Sequence, residues 1–262
     1  MEILGYFASI IIGLSLGLIG GGGSILAVPI LVYLFHVHPE KATSYSLFIV
    51  GFTSMIGSYN HYRLGNLKIK SALVFAIPSI VSLLFVRKMV FHLIPDSLFY
   101  IQSFEVTKNL LIMVVFAFLM IATSISMIKN NKNLKEGVVT NYKMLATVGF
   151  LVGLIIGFLG AGGGFLIIPA LLFFADLPMK QAVGTSLFII FINSLIGFGG
   201  DVLGGVVLDY KLLLIISLMA VIGLFIGTQL SKKIDGAKLK PAFGWFVLVM
   251  GIYIITKEIF FK

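Results

Sequence analysis

Residues 13–31, GLSLGLIGGGGSILAVPIL, return 140 positions later as residues 153–171, GLIIGFLGAGGGFLIIPAL. Gly13-Leu14, Gly17, Gly20, Gly22-Gly23, Leu26, Pro29 and Leu31 fall on Gly153-Leu154, Gly157, Gly160, Gly162-Gly163, Leu166, Pro169 and Leu171. The match continues through Ala42 and Ser46-Leu47-Phe48-Ile49, which fall on Ala182 and Ser186-Leu187-Phe188-Ile189, and through Ser54, Ile56 and Gly57, which fall on Ser194, Ile196 and Gly197. That makes 17 identities over 45 ungapped positions. Apolar bias alone matches some Leu and Ile, but it does not align glycines, prolines and a Ser-Leu-Phe-Ile run together. The chain is a duplication.

Its solvent follows from composition. The 262 residues are 59% hydrophobic and 11% charged, with mean hydropathy +1.12. A soluble domain carries about 25% charged residues. Too few polar side chains exist here to cover a water-facing surface, so the bilayer surrounds most of the chain. Ten apolar segments can be drawn, near 4–20, 25–35, 44–58, 69–91, 107–128, 144–160, 165–175, 184–200, 211–230 and 241–257. The expected fold is all-α, a polytopic transmembrane bundle in two inverted repeats, 1–128 and 144–262, joined by a basic cytoplasmic linker at 129–143. Segments 25–35 and 165–175 are short for a crossing, which needs roughly 20 residues. Each follows a glycine run and contains a proline, so each reads as a short or re-entrant helix. Such a break is tolerated at membrane depth where protein or a water-filled cavity satisfies the backbone. The N-terminus enters apolar sequence directly, without the basic stretch of a secretory signal, and is expected to be the first helix, retained.

The net charge of +9 would suggest nucleic acid in a soluble protein. Here the Lys and Arg cluster in loops, and a topology signal explains them without any nucleic-acid partner. Loop 59–68 with the next helix start holds Arg63, Lys68 and Lys70; loop 129–143 holds Lys129, Lys132, Lys135 and Lys143; loop 231–240 holds Lys232, Lys233, Lys238 and Lys240. Ten crossings, or hairpins in place of each short segment and its predecessor, put all three loops on one side. With Lys180, that side then carries twelve of the nineteen Lys and Arg. An odd number of crossings per half turns the second half upside down relative to the first. Transporters built so bind near the midplane, where interrupted helices of the two halves meet.

The glycine runs are the interruptions. Glycine accepts positive φ and lets backbone approach a ligand. A helix restarting after such a break aims unpaired N–H groups at its surroundings, and an anion suits them. The candidate binding set is therefore Gly20, Gly21, Gly22, Gly23 and Ser24 with Gly160, Gly162, Gly163 and Gly164. Close packing of helices through small residues is the structural alternative. The second repeated motif, Ala42 to Phe48 against Ala182 to Phe188, adds the hydroxyls of Ser44, Ser46, Thr185 and Ser186, for which ordinary N-capping is the alternative. Asn193 either lines the path or bonds a neighbouring helix. Arg87 and Lys88 interrupt an apolar segment near its far end, as snorkelling side chains or as an electropositive vestibule for anions. Asp176, Asp201 and Asp209 sit at segment ends. His36 and His38 do not make a metal site, and His61 and His92 read as structural. The chain has no cysteine, which removes disulfides and thiolate chemistry. Catalytic signatures fail: Gly197 to Asp201 has Phe198 where an intramembrane aspartyl-protease loop needs glycine, Ser24 lacks an activating histidine, and neither glycine run has a nucleotide-binding context.

At the paired runs Gly-Leu-Ile-Gly-Gly-Gly-Gly-Ser with Pro29-Ile30-Leu31, and Gly-Phe-Leu-Gly-Ala-Gly-Gly-Gly with Pro169-Ala170-Leu171 and Gly184-Thr185-Ser186-Leu187, the sequence resembles the TauE/SafE family. The likeness covers nearly the whole chain. It implies export of small sulfur-containing anions, such as sulfite, sulfoacetate or thiosulfate, across the bacterial inner membrane, with no prosthetic group. The first half departs from the Gly-Thr-Ser pattern, reading Ser44-Tyr45-Ser46. The expected partners are a small anionic solute and the lipid bilayer. Oligomeric state is open at this level, a homodimer among the options, and so are a passive anion channel and a membrane-embedded enzyme.

Overall fold

The computed structural model describes residues 2–90, 93, 95, 97–101, 104–129, 141–159, 164–233 and 236–260. Among the described residues ten α-helices carry the fold: α1 Glu2–Ile19, α2 Gly22–Tyr33, α3 Pro39–Arg63, α4 Ile69–Phe85, α5 Lys108–Lys129, α6 Tyr142–Leu159, α7 Gly164–Phe174, α8 Met179–Leu203, α9 Tyr210–Lys233 and α10 Gly236–Phe260. A π-helical turn, Val86–Val90, prolongs α4. One feature lies outside the all-α expectation. A two-stranded antiparallel hairpin, β1 Ser97–Ile101 with β2 Phe104–Thr107, precedes α5, with Tyr100 opposite Glu105 and Ile101 opposite Phe104. Its β-branched and aromatic residues suit a strand, but the pattern is too short to stand out beside apolar helices.

The duplication is visible in local geometry. The bond from Val37 N–H to the Leu31 carbonyl recurs from Leu177 to Leu171. Between them lie His36 and Asp176, the two described non-glycine residues in the left-handed region, at φ 53° and 48°. After α3, the N–H groups of Leu64, Gly65 and Asn66 bond the carbonyls of Asn60, Tyr62 and His61; after α8, Gly204, Gly205 and Val206 repeat this with Gly200, Val202 and Asp201. One residue is then inserted, so α4 and α9 correspond at an offset of 141: Ala72 N–H bonds Lys68 as Leu213 N–H bonds Asp209. Exposed apolar stripes obey the same offset. Leu73, Ile77, Val81 and Phe85 line one face of α4, and Leu214, Leu218, Ile222 and Ile226 line one face of α9. A four-residue period keeps each stripe on one side of its helix. Large apolar side chains exposed in such rows are placed for lipid. Among the described residues five helices are long and apolar enough to cross a membrane by length and composition, with shorter apolar helices at Leu4–Ile19 and Gly23–Tyr33. The protein is a polytopic helical membrane bundle.

Corresponding helices oppose one another. A side chain at Gly51 would press on Ser194 and Leu195, one at Gly57 on Leu187, and one at Gly184 on His61. These contacts advance along α3 as they retreat along α8, so the two run antiparallel. The first helix of each half lies instead along the fourth of the other. Gly13 and Gly17 of α1 sit against Ala220, Leu224 and Thr228 of α9, and Gly153 and Gly157 of α6 against Ser79, Ser82, Leu83 and Val86 of α4. Hydrocarbon gives helices no hydrophobic reason to associate, so close backbone packing through small residues carries the contact.

Side-chain contacts sort the helix ends into two sets. Tyr33 donates to Glu258 at 2.9 Å, Lys108 pairs with Glu40 at 3.1 Å, and Ser44 donates to Asp201 at 2.5 Å. These gather the ends of α2, α8 and α10 with the starts of α3 and α5. At the opposite end Lys70 lies 4.6 Å over the Tyr142 ring and the Lys68 N–H reaches Thr185, which joins the starts of α4, α6 and α8. Helix starts are pinned locally as well: Asp209 accepts from the N–H groups of Lys211 and Leu212, and Asn141 from Met144, the capping chemistry expected of Asp and Asn.

Two measurements check this packing. Gly13→Leu drives a side chain into the backbone of α9 and should cost about 1–3 kcal/mol or more, seen as a lower unfolding temperature in detergent. Gly199, with open space around its Cα, should accept Leu within about 0.5 kcal/mol. Single cysteines replacing Leu64 and Leu203, both exposed, should react with an impermeant maleimide from opposite sides of the membrane.

Candidate transport site

The first glycine run folds a helix back on itself. After α1 the chain turns at Gly20, whose φ of 82° is open to glycine and strained for other residues. Gly23 then packs on Ile12 and Leu16, and Phe35 lies against Gly5, so α2 returns alongside α1 as a helical hairpin. The tip reaches the centre of the bundle. Gly21 abuts the Gly164 backbone and Ile168, Gly164 in turn meets Ile190 halfway along α8, and Gly20 rests on Val183. A Cβ at Gly21 or Gly164 would overlap backbone of the other, so both must be glycine for the first turns of α2 and α7 to meet. Gly21 is the N-cap of α2 and offers no side-chain bond to its first turn, which contains Gly22, Gly23 and Ser24. The first N–H groups of a helix have no intrahelical partner and carry about half a positive charge together. Of the second run, Gly164 is described; Gly160, Gly162 and Gly163 lie outside the described residues.

The hydroxyls of the second motif are not caps. The N-caps of α3 and α8 are His38 and Pro178, without side-chain bonds, and the helices begin five residues earlier than the apolar pattern suggests. Ser44, Ser46, Thr185 and Ser186 are therefore buried inside the helices. Ser46 donates to the Thr43 carbonyl and Ser186 to that of Val183, at 3.0 and 2.9 Å. Ser24 donates to Gly21 at 2.7 Å. Tyr45 and Thr185, which differ in the two repeats, do the same work: each hydroxyl oxygen accepts a backbone N–H from the loop of the other half, Asp209 at 2.6 Å and Lys68 at 3.0 Å. The departure at Tyr45 thus leaves its structural role intact.

Asn193 bonds a neighbouring helix, donating to Ser79 of α4 at 2.7 Å. Its Oδ1 and the hydroxyls of Ser54 and Ser194, all fully buried, have no partner among the described residues. Ser194 stands one turn beyond Ile190 on α8, and Ser54 is its repeat equivalent on α3. A buried polar group left without a partner costs about 1–3 kcal/mol. The sequence carried this signal, since Ser54 and Ser194 are one of the repeat identities, but hydroxyls at other identities were as prominent.

Arg87 requires correction. The reading of an exposed vestibule or snorkelling residue holds for neither its burial nor its partners; Lys88 alone faces outward. Arg87 is 7% exposed and pairs through Nη1 with Asp201, itself 9% exposed. Its Nη2 donates to Thr43 at 3.1 Å, and Ser44 donates to the same Asp201 oxygen. Asp201, expected at a segment end outside the apolar interior, is thus inside the bundle. The π turn at the end of α4 aims Arg87 inward, between the start of α3 and the last turn of α8.

A polytopic bundle duplicated around paired glycine tips agrees with comparison to known proteins. The profile described as Sulfite exporter TauE/SafE matches residues 6–254. The chain belongs to the TauE/SafE family. It is similar to the probable membrane transporter protein YdhB of Bacillus subtilis, 25% identical over 245 residues that cover 94% of this chain and 96% of the relative. A probable membrane transporter protein of Xylella fastidiosa is 28% identical over 256 residues, covering 95% and 92%. One from Methanocaldococcus jannaschii is 38% identical over 117 residues, covering 42% and 43%. No solved structure matches. As a TauE/SafE member the protein is a multi-pass membrane transporter, and the paired tips are the part of the bundle in which a solute site is sought.

The buried ion pair generates its own expectation. Removing one partner of such a pair costs about 3–5 kcal/mol, because the other charge stays buried, whereas replacing both with apolar residues is often close to neutral. Asp201→Leu should therefore lower the unfolding temperature more than Arg87→Met/Asp201→Leu. Equal losses in the two variants would mean that the pair is solvated.

Proposed function

We infer that the protein is a secondary transporter that carries a small sulfur-containing anion, of the sulfite, thiosulfate or organosulfonate class, across the bacterial inner membrane by alternating access. One observation carries the reading: the first turns of α2 and α7, one from each half, abut at Gly21 and Gly164, at the centre of the bundle. Two positive helix ends brought together favour an anion without a buried Lys or Arg beside it. Ser54, Ser194 and the Asn193 side chain supply neutral polar groups nearby. The antiparallel course of α3 and α8 supports two inverted repeats, and a site between such repeats is reachable alternately from either side when one part rocks against the other. The preference for sulfur comes from the family alone, since helix ends and hydroxyls suit any small oxyanion.

Counterflow of labelled sulfite in proteoliposomes tests this. Saturable exchange is expected, and the Ser54→Ala/Ser194→Ala variant should lower it about 10-fold to 100-fold, the value of a hydrogen bond to a charged group of about 1.5–3 kcal/mol, without loss of folded protein. Flux that rises linearly with concentration would assign a channel. Absence of sulfite flux, together with unchanged behaviour of the double variant toward other oxyanions, would overturn the site.

A further inference from the structure

The two ends of the bundle are built from equivalent positions but not from equivalent chemistry. At one end Arg87, Asp201, Ser44 and Thr43 converge from α4, α8 and α3. Their repeat equivalents at the other end are Thr228, His61, Gly184 and Val183, at offsets of 140 on α3 and α8 and 141 on α4 and α9. There His61 and the Asn66 backbone sit against Gly184, and the Lys68 N–H donates across the repeats to Thr185. The first end holds a buried charged pair with two hydroxyls; at the equivalent positions the second end has one hydroxyl and one imidazole, and Lys70 lies over the Tyr142 ring there. Symmetry of the fold did not require this, because the duplicated backbone is the same at both ends.

We propose that Arg87, Asp201, Ser44 and Thr43 form a gate that shuts the solute path at the end of the bundle away from loop 59–68. This rests on the transport reading above, and the residues act as positioning residues rather than as the solute site. Arg87 belongs to the first repeat and Asp201 to the second, so the pair can persist only while the last turn of α8 lies against α4 and the start of α3. Rocking one repeat against the other to open this end separates them and exposes both charges to water. A buried pair has that property: it is held when desolvated with good geometry and given up when water replaces each partner. If the basic loops are cytoplasmic, the gate faces the outer side.

The natural absence of cysteine makes accessibility a direct test. Ser194→Cys places one thiol at the centre of the path, and an impermeant maleimide is added to right-side-out or inverted membrane vesicles. With the pair intact, labelling from the gate side is expected to be slow. Asp201→Asn should raise the rate from that side at least 10-fold, and the exchanged pair Arg87→Asp/Asp201→Arg should bring it back down. Both are read on protein that elutes as a single species in detergent, and the exchanged pair tests the gate even where Asp201→Asn fails to fold. An unchanged rate in Asp201→Asn, or an exchanged pair that labels fast, would overturn the gate. Labelling needs no substrate, so a Ser194→Cys protein that labels as expected, beside an unsubstituted protein that exchanges no anion, would sink the transport reading and leave the gate standing.

Discussion

Where α3 crosses α8, backbone meets side chain at Gly51 and Gly57 on one helix and at Gly184 and Gly197 on the other. In hydrocarbon, packing rather than water exclusion holds helices together, so the distance of closest approach decides what can associate. The antiparallel crossing fixes the rest. It sets the start of each long helix beside the end of its equivalent, brings loop 64–66 to Gly184 and Asp201 to Ser44, and leaves the middle of α8 free to receive the tip of α7. The hairpin of α1 and α2 is seated by the same kind of contact, with Gly13 and Gly17 pressed on α9 and Gly21 on Gly164.

The result is a division between centre and ends. At the centre the repeats agree: two helix starts that meet at glycine, and two matched serines. At the ends they differ. Tyr45 and Thr185 still perform the same task with different side chains, but Arg87 with Asp201 has only Thr228 with His61 as its counterpart. On the proposed alternating-access reading, a nearly symmetric centre would bind the same solute from either side. Unequal ends bias which side is open, since the contacts broken on opening differ.

Much of this was legible in the sequence. The ten helices, the short pair with internal prolines, the duplication and the family all follow from residues 13–57 and 153–197 and from apolar run lengths. Helix starts were not: Pro39 and Met179 begin α3 and α8 in polar sequence that hydropathy assigns to loops. The β1–β2 hairpin was hidden because it lies almost wholly between the apolar segments 69–91 and 107–128, in strands too short to register. The Arg87–Asp201 pair was missed because charge near the end of an apolar segment ordinarily marks an interface, and because its partners are 114 residues apart on helices whose adjacency depends on the antiparallel crossing. Repeat alignment gave no warning either, as neither charge recurs in the other half.

The antiparallel register of α3 and α8 is the claim on which the tips, the serines and the gate all depend. Disulfide cross-linking of cysteine pairs in the otherwise cysteine-free chain measures it most directly. Leu47→Cys with Gly197→Cys, and Gly57→Cys with Leu187→Cys, should cross-link readily, since these residues touch. Cross-linking of the repeat-equivalent pairs instead, 47 with 187 and 57 with 197, would show the two helices running side by side in the same sense and would contradict the account.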